Sequence, residues 1–271
     1  MSIWSRYTKV HEINTGGTAM VHVAVDTHTG FPVAIKELNS SYFKDDFMRT
    51  KFREEANRYL YLDHPGIVGL ENFVQDGNVQ YLVMEYVEGM CLSDHLRSMT
   101  GPMPFQNAAH IVWQVADALA YVHSQNLVHL DVKPSNIMLK SDFTVKLIDF
   151  GIAHEAISDS LGKAMGTLPY MPREQVENTG IGPRCDIYAL GITLYQLVTG
   201  RLPYPKDITT EELRKIVGTI HLPKVGAYYD ADKKWVDAFN QLLAKATAIQ
   251  SSDRMGSCLD FKKALTMIMR G

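Results

Sequence analysis

Charge-handling side chains recur in this chain in ordered strings. His129-Leu130-Asp131-Val132-Lys133-Pro134-Ser135-Asn136 places a carboxylate, an ammonium and a carboxamide within one short stretch, and Asp149-Phe150-Gly151 follows thirteen residues past Asn136. Carboxylate and carboxamide oxygens are hard ligands for a hard cation, a carboxylate can take up a proton, and an ammonium complements an anion. Upstream, the apolar run Val33-Ala34-Ile35 ends on Lys36. Asp-Phe-Gly alone is commonly just a turn. The five-residue step from Asp131 to Asn136, backed by the apolar pattern Ile137-Met138-Leu139, is much more specific. Other reactive types carry less. His64, His95 and His154 lack metal-ligand spacing, so no zinc site is expected. Cys91, Cys185 and Cys258 are far apart, which fits reduced thiols in a cytoplasmic compartment rather than a disulfide framework.

These residues need elements to hold them. Val21 to Val25 alternates, turns through Asp26-Thr27-His28-Thr29-Gly30, and returns as a strand over 31–36. A helix is predicted from about Asp45 to Asp63, stopping before Pro65. A strand pair is predicted over Ile67 to Val74 and Val79 to Tyr86, turning at Asp76-Gly77. After Gly89 the pattern becomes helical. Ile111, Val115, Ala118, Leu119 and Val122 step by three and four, and Ile187 to Val198 reads as a buried helix closed by Gly200. Further helices are predicted over roughly 209–218, 232–247 and 257–269. The expectation is an α+β chain: a small β-rich part with one main helix, then a larger, mainly helical part, joined near Glu85 to Glu88. A cleft at such a junction is a favoured ligand site.

The strings Val33-Ala34-Ile35-Lys36, His129 to Asn136, Asp149-Phe150-Gly151 and Met171-Pro172-Arg173-Glu174, in this order and with these gaps, resemble the protein kinase signature set. The match runs from about Tyr7 to Arg270. The resemblance implies the two-lobed protein kinase fold as one domain over 1–271. Its N-lobe would span about 1–86, its C-lobe about 87–271 and its activation segment 149–174. It further implies a serine/threonine protein kinase that moves the γ-phosphoryl of Mg-ATP to Ser or Thr hydroxyls of protein substrates and can autophosphorylate. The compact loops resemble those of bacterial eukaryotic-like kinases.

Residue by residue, the resemblance implies that Lys36 holds the α- and β-phosphates and that Glu55, nine residues before His64, pins it. Glu54 would point about 100° away around the helix. Asp131 would accept the acceptor hydroxyl's proton, and Lys133 would steady the γ-phosphoryl, a lysine that goes with serine/threonine specificity. Asn136 and Asp149 supply oxygens suited to Mg²⁺, which keeps waters and borrows phosphate oxygens. Backbone groups of Glu85 and Val87 would bind the adenine edge. Met84 would be the gatekeeper, and Val21, Ala34 and Met138 would sandwich the ring. Thr167 would shape the acceptor site, Glu174 would pair with Arg254, and Asp186 would hold the catalytic-loop backbone or simply cap its helix. His129, Phe150, Tyr59 and Leu70 match the family's apolar spine.

Two departures matter. The family's G-x-G-x-x-G-x-V loop reads Asn14-Thr15-Gly16-Gly17-Thr18-Ala19-Met20-Val21 here. Gly16 matches the middle glycine, Gly17 adjoins it, and Asn14 tolerates left-handed backbone angles. A working loop with a weakened nucleotide grip is expected. Leu130 stands where many kinases carry an arginine that pairs with a phosphorylated loop residue. Activity is therefore expected not to need loop phosphate, although Ser158, Ser160 and Thr167 could still be phosphorylated. The eroded loop, Leu130 and Pro172-Arg173-Glu174 also support a rival reading, a pseudokinase acting as a nucleotide-binding scaffold. A small-molecule kinase is a third reading, opposed by the docking segment from Gly166 to Tyr170.

The bulk numbers fit. A formal charge of -3 over 271 residues, with no basic cluster, argues against a nucleic-acid or membrane-surface binder. No apolar run nears the roughly 20 residues that span a bilayer, and the first residues show no signal-peptide pattern. Oligomeric state is open.

Overall fold

The computed structural model describes residues 2–13, 18–150, 166–226 and 233–270. The chain forms two compact units, Met1–Glu88 and Gly89–Gly271. Asn14, Gly16, Gly17, Ser158 and Ser160 lie outside the described residues.

The first unit is a five-stranded antiparallel sheet and one helix. Its strands are β1 (Tyr7–Ile13), β2 (Ala19–Asp26), β3 (Pro32–Leu38), β4 (Leu70–Asp76) and β5 (Val79–Glu85), in the spatial order β1-β2-β3-β5-β4. Alternation along the strands divides the side chains between two faces. One face buries Tyr7, Ala24, Val33, Ile35, Tyr81 and Val83 under the N-terminal turn, with Ile3 and Trp4 packed on it. The Arg6 guanidinium ties that turn to the end of β2 through two bonds to the Asp26 carboxylate, at 3.1 and 2.7 Å. Asp26 also accepts the His28 N–H at 3.0 Å. These donors, Arg6 foremost, hold the Asp26 carboxyl down at about 2.

Helix α1 (Asp46–Tyr59) is capped by Asp45, whose carboxylate accepts the Met48 N–H at 3.1 Å. Its buried stripe is Met48, Phe52, Glu55, Ala56 and Tyr59. The helix stops four residues short of the predicted end. Tyr59 is the last residue of that stripe, and Leu60 and Tyr61 point outward, 69% and 72% exposed. β4 also begins later than predicted, at Leu70: the Ile67 N–H first closes a turn on the His64 carbonyl at 3.0 Å, and the Glu85 N–H donates to the Gly69 carbonyl at 2.9 Å.

The second unit is mainly helical. It contains α2 (Leu92–Ser98), α3 (Phe105–Ser124), α4 (Arg173–Val176), α5 (Pro183–Thr199), α6 (Thr210–Ile216), α7 (Lys233–Ala246) and α8 (Cys258–Arg270). A small sheet joins β6 (Met90–Cys91), β7 (Ile137–Leu139) and β8 (Val145–Leu147) in that order. α5 is buried on nearly every side, as an all-round apolar helix must be. Gly200 closes it with φ +70° and an N–H bond to Gln196 O at 2.8 Å. Leu168 and Met171 of the docking segment pack on Leu213 and Val217 at α6. Just past α6, Gly218 has φ +72°, and a Cβ there would lie 2.3 Å from the Arg173 nitrogen. No helix among the described residues is long and apolar enough to cross a membrane.

Candidate active site

In the first unit, β3 and its neighbours gather the nucleotide-side candidates. Val21 lies opposite Lys36 on β2, and Met84 lies opposite Ala34 on β5. Directly opposed residues of an antiparallel pair share a face, so Val21, Ala34, Lys36 and Met84 all project to the face away from the Tyr7–Val83 core. α1 meets that face through Glu55, whose Oε1 lies 2.8 Å from Lys36 Nζ. The side chains are 9% and 1% exposed, so this is a buried ion pair. Glu54 instead pairs with Lys51 at the surface, at 2.9 Å. Because the Glu85 N–H is bound to Gly69, the candidate purine contact at Glu85 is its carbonyl. Val87 is buried just beyond.

In the second unit, the loop between α3 and β7 carries the acceptor-side candidates. Lys133 Nζ donates to both Asp131 oxygens, at 2.8 and 2.9 Å, and to Thr167 Oγ1 at 2.5 Å. Asn136 Nδ2 donates to the Asp131 carbonyl at 2.9 Å and to Asp131 Oδ2 at 2.7 Å. Asp131 is thus oriented by two side chains of its own loop and linked through Lys133 to the docking segment. The β7–β8 hairpin then brings the two cation candidates together: Asn136 starts it, Asp149 follows it, and the Ile148 N–H donates to Asn136 O at 2.9 Å. Met138 lies on β7 beside Cys91, their sulfurs 3.6 Å apart. Burial pushes the Cys91 thiol up, so it stays protonated.

His129 is wholly buried and locks the loop to the hairpin. Its Nδ1 accepts the Asp131 N–H at 3.2 Å, so Nε2 carries the proton and donates to the Ile148 carbonyl at 3.1 Å. Burial pushes the imidazole below its ordinary value and keeps it neutral. Its ring packs on Phe150 at 4.6 Å. Tyr59 and Leu70, the other spine candidates, belong to the first unit.

Asp186, fully buried, accepts the His129 N–H at 2.9 Å, the Leu130 N–H at 2.7 Å and a bond from His123 Nε2 at 2.8 Å. It is not the cap of its helix. α5 begins at Pro183 after Gly182, which puts Asp186 a full turn inside. Glu174 and Arg254 form a bidentate pair, with Nη2 to Oε2 at 3.0 Å and Nη1 on Oε1. Arg254 also donates to the carbonyls of Ala248, Arg184 and Ile249. Burial pushes the adjacent Cys185 thiol up to about 12. Two residues that sequence reasoning did not single out join this network. His123 is one. Gln175 is the other, whose Nε2 donates to the Leu130 carbonyl at 2.7 Å.

A two-unit chain with a Lys–Glu pair in its β-rich unit and an Asp-Lys-Asn loop in its helical unit belongs to the protein kinase family: the "Protein kinase domain" profile matches residues 7–266. The chain is similar to several curated bacterial serine/threonine-protein kinases. It is 34% identical to PrkC of Bacillus subtilis over 91% of this chain and 38% of that protein. It is 34% identical to PknL of Mycobacterium tuberculosis over 94% of this chain and 63% of that protein. A crystal structure of the M. tuberculosis PknI kinase domain superposes with TM-score 0.77 at 26% identity, covering 98% of this chain and 97% of that one. The chain spans between 31% and 63% of the length of curated relatives such as these.

Proposed function

We propose that this chain is the catalytic domain of an ATP-dependent serine/threonine protein kinase. The observation that carries this reading is the bond set around Asp131: Lys133 bridges its carboxylate to Thr167 of the docking segment, and Asn136 holds its other side. Such a bond set would hold one carboxylate in a fixed orientation for an acceptor hydroxyl. Asp131 would take the hydroxyl proton, and Lys133 would balance charge on the γ-phosphoryl. Lys36, fixed by Glu55, would bind the α- and β-phosphates, while Val21, Ala34, Met84 and Met138, with the backbone of Glu85 and Val87, would receive the adenine. Catalysis of this kind is mostly positioning and electrostatics, which this bond set supports.

The metal-side residues fit Mg²⁺. Asn136 commits its Nδ2 to Asp131, its Oδ1, which accepts a long 3.4 Å bond from Ser135 Oγ, would serve as a ligand, and Asp149 would add a carboxylate. When bound, the cation would neutralise phosphate charge. A domain of this type, with three unpaired cysteines, fits the cytoplasmic side of a cell. The pseudokinase alternative loses ground because every residue the chemistry needs is present and, where described, engaged. Incubation with labelled Mg-ATP and a generic basic protein tests the proposal. Transfer onto serine or threonine, abolished by Asp131→Ala, is expected. A chain that binds ATP yet labels neither itself nor any protein would refute it.

A further inference from the structure

Leu130 stands in a left-handed conformation, φ +64°, in which its Cβ crowds the following carbonyl oxygen. It directly precedes Asp131, so its backbone angles aim that carboxylate. Such a residue persists only where its surroundings over-determine it. Both of its peptide groups are held: the N–H by Asp186 at 2.7 Å and the carbonyl by Gln175 Nε2 at 2.7 Å. Asp186 comes from the core helix α5. Gln175 comes from α4, next to Glu174, whose pair with Arg254 anchors the docking segment. Gln175 is only 4% exposed, so no solvent donor readily replaces its amide.

We propose, building on the kinase reading, that Gln175 is a positioning residue for phosphoryl transfer: it transmits the seating of the docking segment to Asp131 through the Leu130 carbonyl. Leu130 has no guanidinium with which to read a loop phosphate. The amide-to-carbonyl bond does that work through the main chain instead, and it needs no modification. Acceptor-site assembly and base orientation are thereby coupled within the second unit.

Gln175→Leu and Gln175→Glu, made in the full chain, test this with labelled ATP and a basic protein as acceptor. Gln175→Leu removes the donor at similar volume. Its kcat should fall about 10- to 100-fold, the scale of a small misplacement of a reacting group, with the KM for ATP and nucleotide binding close to wild type and a single cooperative unfolding transition retained. Gln175→Glu supplies a donor only when protonated. Its buried position, with Asp186 holding the same Leu130 residue from α5 and Glu174 alongside, raises that carboxyl. Its activity relative to wild type should therefore recover as pH is lowered from about 8 to about 6, an effect that a merely space-filling residue would not produce. Wild-type kcat in Gln175→Leu, or a Gln175→Glu profile of the same shape as wild type, would overturn the assignment. If Gln175→Leu does not fold, the Gln175→Glu profile decides alone. A wild-type chain without transfer activity would instead remove the kinase reading beneath it.

Discussion

Lys36 and Glu55 are each nearly sealed from water, so each charge depends on the other. A buried pair broken on one side leaves an uncompensated ion, which costs more than the pair contributes when whole. Lys36→Met should therefore act twice. It removes the candidate phosphate cation, lowering transfer by about 100-fold or more, and it takes the ammonium from the buried Glu55 carboxylate, lowering the thermal midpoint. The double variant Lys36→Met/Glu55→Gln should recover midpoint but not activity, as calorimetry and a labelling assay would show. The choice of Glu55 over Glu54 was legible in the sequence, from its nine-residue spacing to His64 and the roughly 100° between neighbours around a helix. Gln175 was not. Its partner is a backbone carbonyl 45 positions away in the chain, and an amide on a four-residue helix carries no pattern of its own. His123 was hidden likewise, because its partner Asp186 lies 63 positions away in the chain.

At the scale of elements, Leu130 replaces a side-chain reader of phosphate with a backbone held from two sides. Phosphatase-treated protein should keep transfer activity within a few-fold of the untreated form; loss of activity that returns on rephosphorylation would count against this. The sheet of the first unit makes a separate prediction about acid. Asp26 is held at about 2 by Arg6 and the His28 N–H, below the ordinary carboxylate value near 3.9. A depressed carboxyl contributes stability that is complete above the unfolded value and is lost as pH falls through the folded one. The thermal midpoint should drop across the interval from about 4 to about 2, and Asp26→Asn should flatten that drop. Helix and strand cores were readable from periodicity. β1 was not, because only Tyr7 of its seven residues is buried and an edge strand of that kind shows no alternation. α2 has no side-chain cap to announce it, since Cys91 occupies that position.

At the scale of the molecule, motif order carried more information than any element. Four strings spread over the chain agreed on one family, and that agreement survives the loss of the usual loop glycines and of an arginine. What holds the second unit's distant parts together is Arg254, which meets Glu174 and three carbonyls. Arg254→Met should destabilise that unit by roughly 3–5 kcal/mol, the cost of stripping one partner from a buried ion pair, measured by urea denaturation. A loss under about 1 kcal/mol would place the pair among ordinary surface bridges.

Gly218 sits where the chain leaving α6 brushes the backbone of Arg173, with no room for even a methyl group and with φ +72°. Every other codon at that position would force the chain leaving α6 away from the Pro172–Arg173 backbone. A randomised library at residue 218, selected for turnover, would then return a single amino acid, while the exposed Thr219 and His221 drift.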